Sequence, residues 1–339
     1  MAAATEGSVA EAAMAVVRRG NAIDAVVAGV FAACADNASV LLGPVQILVG
    51  GEGVGLHAID GRVQQPGRGL ARPRGYLSDD EVPLAARVGA PALPAALATA
   101  LASFGKTPLA RVLGPAIDLA RAASKPRAEL LQRIAEAGPR ALTRARIGGE
   151  LVLAAGRGAG GLLSVRDLED LRPRVVAARV TRVGEARLVT VPWSAEAVRS
   201  ADAAGLGGGA TRIVVAMDAH GQIAVACYEV ADTGLSIEAL DLVGPPFATP
   251  VRRGQTRVPA GEPRPAAAPI ALREREGALD LGAGAGEAPD AEKTLGDWLR
   301  AYDEARTTLA SAPPPVGLFS VARVGRESKV LGNVARAAG

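Results

Sequence analysis

Residues 18–29 read Arg18-Arg19-Gly20-Asn21-Ala22-Ile23-Asp24-Ala25-Val26-Val27-Ala28-Gly29. Small apolar residues at helical spacing precede this stretch from Glu6 to Arg19. Gly20 then ends the first helix, because glycine adopts the left-handed conformation that closes helices. Asn21 follows as an N-cap, with Asp24 three residues on in a capping-box arrangement. The spacing predicts two helices joined by a tight turn, the second running to about Asp36. Alanine and glycine let them pack closely.

Outward from this unit the pattern changes. Between Leu41 and Val63 the sequence reads as short strands around a Gly-rich turn, with Asp60-Gly61 as a hairpin turn. An Arg-, Gly- and Pro-rich loop follows. Helices are expected over Ala90–Phe104, from the Thr107-Pro108 pair, from Pro115 to Ala123, and over Arg127–Ala137. Ser164 and Asp167 repeat the capping-box spacing. Val175–Val191 reads as two strands, and Ala201–Gly209 as a small-residue connector. The strongest hairpin joins Thr211–Met217 to Ile223–Val230 through Asp218-Ala219-His220-Gly221. Segment 243–269 reads as loop, Ile270–Leu272 and Leu279–Leu281 as paired strands, and 282–290 as a Gly/Ala loop. Lys293–Leu309 reads as a helix and Gly317–Val324 as a last strand. Strands and helices mix without βαβ alternation, so the expected class is a layered α+β body.

Composition narrows the function. The chain has 339 residues, 49% of them hydrophobic, enough for a sizeable core. Only 4 Phe, 3 Tyr and 2 Trp occur, which argues against stacking platforms for single-stranded nucleic acid. Lys occurs only at 106, 125, 293 and 329; the other basic residues are dispersed Arg, and the net charge is +3. That balance gives no strong steering field, so no nucleic-acid partner is expected. No apolar run approaches the roughly 18 residues of a membrane span. His57 and His220 are the two histidines, too few for a His-rich metal site or proton relay. Cys34 and Cys227 lie in apolar runs far apart; buried free thiols are the default and a disulfide is the alternative. Neither a cofactor nor a metal is expected. The start of the sequence lacks a signal-peptide pattern, so the expected location is cytoplasmic.

Several motifs in collinear order resemble the gamma-glutamyltranspeptidase family. Ser8–Ala12 and Val17–Ala28 resemble its opening helix and "LRRGGNAVDAAVA" run. Val49–Leu56 stands in for its Gly-rich "GIGGGGF" strand, and Gly89–Pro94 for its "AVPG" helix entry. Phe104–Ala110 and Leu113–Ala120 resemble "YGKLPWAELLAPAIRLAE", and Gly160–Leu168 resembles "GGxLTxEDLA". The resemblance implies an N-terminal-nucleophile hydrolase: an αββα four-layer sandwich that cuts itself in two and exposes an N-terminal Thr. The freed α-amine then serves as the base. Residues 1–339 would form one such domain, with 1–210 corresponding to the large subunit and 211–339 to the small one.

Anchored on the turn Asp218–Gly221, the nucleophile aligns with Thr211. The family's oxyanion glycines align with the run 282–286, giving Gly284 and Gly286; backbone N–H groups serve such a hole. Its carboxylate-binding Arg aligns with Arg68, with Arg72 or Arg74 as substitutes. The family's Thr-x-Asn segment, which supports the nucleophile and the substrate, aligns with Glu229-Val230-Ala231, where the amide is gone, and Asp241 is the one candidate for its acidic pair. The implied substrate is a small γ-glutamyl amide such as glutathione.

The departures cluster around the pocket. Arg212 and Ile213 replace the family's second Thr and its His. Arg264-Pro265-Ala266-Ala267-Ala268-Pro269 resembles "RPLSSMSP" with both serine hydroxyls gone. A long helical block before the nucleophile is missing. Two readings follow: an amidohydrolase or acyltransferase with altered substrate, or a degenerate member that keeps the fold as a ligand-binding or partner-binding protein.

Overall fold

The computed structural model describes residues 1–71, 75–193, 209–287, 290–304, 317–324 and 327–332. Nine helices and fourteen strands occur among them. The unit around residues 18–29 forms two helices with Asn21 as N-cap, but Gly20 does not take the left-handed conformation of a closing glycine; it is instead packed against the Asp24 carboxylate, where a Cβ would not fit. Helix α1 spans Gly7–Val17 and α2 Ala22–Asp36. The Asn21 side chain accepts the Asp24 N–H at 3.0 Å, and the Asp24 carboxylate accepts the Asn21 N–H at 3.1 Å. Asn21 also donates to the Phe104 carbonyl at 2.7 Å. Asn21→Ala is therefore expected to destabilise the protein by about 1–2 kcal/mol, measurable by urea unfolding. α2 is buried on every face except at Asp36, so it is a core helix rather than an amphipathic one.

Two six-stranded antiparallel sheets form the centre. In the first, the order is β1 (Ala2–Ala4), β7 (Gly209–Met217), β8 (Ile223–Ala231), β2 (Val45–Gly51), β3 (Gly55–Gly61) and β4 (Arg174–Ala177). In the second it is β14 (Glu327–Gly332), β13 (Leu318–Val324), β12 (Ala278–Ala285), β11 (Ile270–Arg275), β6 (Ala186–Thr190) and β5 (Arg179–Val183). A short pair, β9 (Leu235–Ile237) and β10 (Leu242–Gly244), stands apart.

Alternation along β7 shows how the layers stack. Val214 and Ala216 face the core shared with α1, α2 and helices α3 (Leu93–Phe104), α4 (Leu109–Val112), α5 (Gly114–Ala123), α6 (Lys125–Ala137) and α7 (Ala145–Ala155). Ile213, Val215 and Met217 face a second core, between the sheets, with Leu272, Phe319 and Val321. A third core covers the other face of the second sheet: Ala271, Leu281 and Ala283 meet Leu295, Trp298 and Tyr302 of α9 (Ala291–Glu304). The remaining helix, α8 (Val165–Glu169), opens on the Ser164–Asp167 capping box.

Several sequence expectations change. Asp60 and Gly61 are not a turn; both lie in β3, opposite Gln46 and Val45. The turn falls at Glu52–Val54, where Gly53 takes φ +74° and Gly55 +77°, conformations that favour glycine. The stretch 175–191 holds three strands rather than two, because β4 joins the first sheet while β5 and β6 join the second. The Gly/Ala stretch from 282 is not loop at its start: β12 continues to Ala285, paired on both sides by β11 and β13. Thr107 does not cap the following helix. Pro108 is the N-cap, and the Thr107 hydroxyl donates to Asp24 at 2.8 Å. α7 was not read from the sequence at all; Gly148-Gly149 masks the buried stripe Ile147, Leu151 and Ala155. The connector 201–208 and Arg72 and Arg74 lie outside the described residues.

Candidate active site

Thr211 is the third residue of β7 and lies directly opposite Glu229 of β8. Opposed residues of an antiparallel pair share a face, with Cβ atoms about 5 Å apart. That face is the inter-sheet one, since Ile213 and Cys227 follow two residues along their strands in the core between the sheets. The structure therefore brings together two of the sequence-predicted site residues, Thr211 and Glu229.

The second sheet holds Thr211 in place through its backbone. The Glu287 N–H donates to the Thr211 carbonyl at 3.1 Å, and the Gly286 N–H to the Gly317 carbonyl at 2.7 Å. Glycine is needed where the sheets approach. A Cβ on Gly286 would lie 2.7 Å from the Thr211 carbonyl oxygen, and one on Gly284 2.8 Å from the Ile213 side chain. Gly284 and Gly286 thus adjoin the Thr211 strand. The Gly286 N–H, however, is already committed.

On the opposite face of β7 lies a charged chain. Arg212 pairs with Glu6 at 3.2 Å and also with Glu287. Tyr228 donates its hydroxyl to Glu6 at 2.6 Å. Burial pushes the Glu6 carboxyl above its ordinary value, against the opposing hydrogen bond from Tyr228 and the charge of Arg212. Arg212, read as a loss of a family hydroxyl, here ties β7 to the start of α1 and the end of β12.

Further along the inter-sheet face is a polar row missed by the sequence reading. Ile213, Cys227, Gln46 and Asp60 are consecutive cross-strand partners, and Arg174 pairs with Asp60 at the sheet edge. Thr211 and Glu229 lie two residues further along β7 and β8, and Arg62 two residues beyond Asp60. Arg62 forks onto Asp60 through Nε and Nη2, both at 2.9 Å, and Arg174 adds a bond at 2.8 Å. Burial alone would raise the Asp60 carboxyl; the bonds and charge of Arg62, with the bond from Arg174, outweigh it and hold Asp60 below its ordinary value. The Arg62 guanidinium also sits 5.0 Å from the Trp193 ring centre. Trp193 donates to the Gln46 amide, which donates onward to the Ala267 carbonyl at 2.6 Å. Gln46 thereby fastens the segment that replaces the serine motif. The signal for Arg62 was present as Asp60-Gly61-Arg62: in a strand, residues two apart share a face.

The other predicted residues lie elsewhere. Arg68 follows the first sheet in a loop pinned by Asp167, whose carboxylate accepts the N–H groups of Gly67 and Arg68, both at 2.9 Å. Its guanidinium donates to Gln64 at 3.1 Å. Asp241 pairs with Arg127 of α6 at 2.9 Å. Neither is joined to Thr211. Cys34 and Cys227 are buried free thiols, as the default reading expects, and burial pushes both upward in pKa. A cleft of about 940 Å3 opens at α5, α6 and α7, lined by Ile117, Leu130 and Ile147, away from this site. A pocket of about 230 Å3 touches it through Trp193 and Ala266. Among the described residues, no helix is long and apolar enough to cross a membrane.

No protein-family model matches the chain, and no curated protein does. Solved structures do. LmbA2991HD aligns over 97% of this chain and 96% of its own, at 15% identity and a TM-score of 0.73. Cephalosporin acylase from Bacillus halodurans aligns over 98% and 95%, at 14% identity and 0.72. A gamma-glutamyltranspeptidase from Pseudomonas nitroreducens aligns over 60% of this chain and 77% of its own, at 21% identity and 0.49. Across nearly its whole length, the chain has the same fold as the Bacillus halodurans cephalosporin acylase.

Proposed function

We propose that the protein is an N-terminal-nucleophile amidohydrolase or acyltransferase acting on γ-glutamyl amides such as glutathione, with Thr211 as nucleophile. The three cores are read as the αββα sandwich of that class, and a solved structure with this fold is named as an acylase. The single observation that carries the reading is the placement of Thr211 directly opposite Glu229 on the inter-sheet face.

In this reading Thr211 Oγ1 attacks the Ala210 carbonyl carbon, the peptide nitrogen leaves, and water hydrolyses the resulting ester. The freed α-amine of Thr211 then takes the hydroxyl proton as Oγ1 attacks the substrate amide. The departing amine leaves with that proton, and water or an acceptor amine releases the acyl group. Glu229 faces the substrate ammonium across one strand spacing. The carboxylate role expected of Arg68 has no counterpart beside Thr211: Arg62, on the same sheet, is forked onto Asp60, three strands and roughly 14 Å away at about 4.8 Å per strand. Gly284 and Gly286 contribute the close approach of β12.

One observation favours the degenerate reading. The Ala210–Thr211 peptide lies within the β7–β8 ladder, where Ala210 faces Val230 and Thr211 faces Glu229. Intact-mass measurement separates the two. Cleavage between Ala210 and Thr211, abolished in Thr211→Ala, together with release of p-nitroaniline from γ-glutamyl-p-nitroanilide, is the expected result. A single uncut chain that releases no chromophore overturns it.

A further inference from the structure

The cleft of about 940 Å3 at α5, α6 and α7 takes no part in the chemistry above. Its lining carries charge that the fold leaves unmatched. Five lining side chains are cations: Arg121, Lys125, Arg133, Arg144 and Arg146. Arg121 pairs with Asp118 at 2.6 Å, and Arg133 with Glu136 at 3.7 Å. Among the described residues, Lys125, Arg144 and Arg146 form no ion pair, and all three are exposed. Nor do they stabilise their helices. Lys125 is the first residue of α6, Arg144 is the N-cap of α7, and Arg146 is the second residue of α7. The helix dipole disfavours cations at these ends, and neither helix has an acidic residue in its first turn to offset them. The buried part of the lining is apolar, with Ile117, Ile147 and Leu240.

The spacing and sign of these charges select a class of ligand. Lys125, Glu129, Arg133 and Glu136 all line the cleft and succeed one another at helical spacing along one face of α6. Positive and negative groups therefore alternate along that wall. Lys125 and Arg133 are separated by about 12 Å along the helix axis, at about 1.5 Å per residue. A single carboxylate or phosphate does not span that distance. A continuous phosphate chain does, but Glu129 is exposed and without an ion pair among the described residues, and it would repel such a chain. Nor is there an aromatic ring among the described lining residues on which bases could stack. We propose that the cleft is a docking groove for an acidic peptide segment of a partner protein. Its carboxylates meet Lys125, Arg144 and Arg146, a basic residue meets Glu129, and its apolar residues lie toward Ile117, Ile147 and Leu240. The groove does not depend on Thr211 chemistry.

The test is fluorescence anisotropy of the full chain with two labelled peptides and a labelled thymidine oligonucleotide. The first peptide is Glu-Leu-Glu-Ala-Lys-Leu-Glu-Ala-Glu; the second carries Glu in place of its Lys. The wild type is expected to bind the first peptide saturably, severalfold more tightly than the second, and to lose affinity severalfold as salt rises. Glu129→Gln should erase the preference between the peptides. Arg144→Glu combined with Arg146→Glu should weaken binding of both at least tenfold. That double variant should melt at or above the wild type, because acidic residues suit a helix start; its Tm separates lost docking from lost folding. If it melts well below the wild type, Arg144→Gln with Arg146→Gln carries the same test. A wild type that binds neither peptide overturns the proposal, and so does one that binds the oligonucleotide as tightly as the first peptide. Unchanged binding in the double variant, or an unaltered preference in Glu129→Gln, also overturns it. Self-association of the wild type that the double variant abolishes assigns the groove to a second copy of the chain and overturns it as well.

Discussion

Asp60→Asn is expected to lower the free energy of unfolding by about 3–5 kcal/mol at neutral pH, the usual cost of breaking a buried pair from one side. The Asp60 side chain is 2% exposed and carries both arginines of its corner, and the Arg62 side chain is 9% exposed. The amide leaves the Arg62 charge buried against Trp193 without its carboxylate. The pH dependence has a definite sign. Asp60 is held below its ordinary value of 3.8, so its contribution is fully present above that pH. The contribution is lost as pH falls through the still lower native value. Urea unfolding should therefore show a wide gap between wild type and Asp60→Asn at neutral pH, and that gap should close in strong acid. A gap that stays constant down to the acid limit would show that Asp60 acts through packing rather than charge.

The second large effect is expected at Gly286. A methyl group there meets the Thr211 carbonyl oxygen at 2.7 Å and Ile213 Cγ1 at 3.4 Å. The carbonyl is backbone in a paired strand, so it yields only by moving β7. Gly286→Ala should cost about 1–3 kcal/mol in overpacking. It should also loosen the bond from Glu287 to that carbonyl, and with it the seat of Thr211. The proper control is Gly149→Ala, where nothing lies within 4 Å of the added carbon. In the interior of α7 that change should be neutral or stabilising by up to about 1 kcal/mol. Equilibrium unfolding of the two variants side by side checks the prediction; equal stabilities would remove the argument that close sheet approach requires Gly286.

Much of the scaffold was legible because its signals are local. The capping boxes at Asn21 and Ser164 act within three residues, and both form as read. The Asp218–Gly221 turn sets the β7–β8 hairpin, which fixes Thr211 opposite Glu229. The misreadings share one cause. Asp60-Gly61 carries turn-forming residue types, and 282–286 carries loop-like ones, yet both lie in strands paired to distant partners. Propensity yields there to ladder hydrogen bonds and burial, which no short window contains.

By itself, the sequence determined the helix starts, the main hairpin, the apolar alternation along the strands, and the alignment that singles out Thr211. These follow from interactions spanning a few residues. Only the tertiary structure decided which side chains share the inter-sheet face. Arg62 turns to Asp60, Arg68 to Gln64, and Asp241 to Arg127. Such outcomes depend on how segments far apart in the sequence meet and, within the sheets, on strand register. A shift of one residue would send every side chain to the other face.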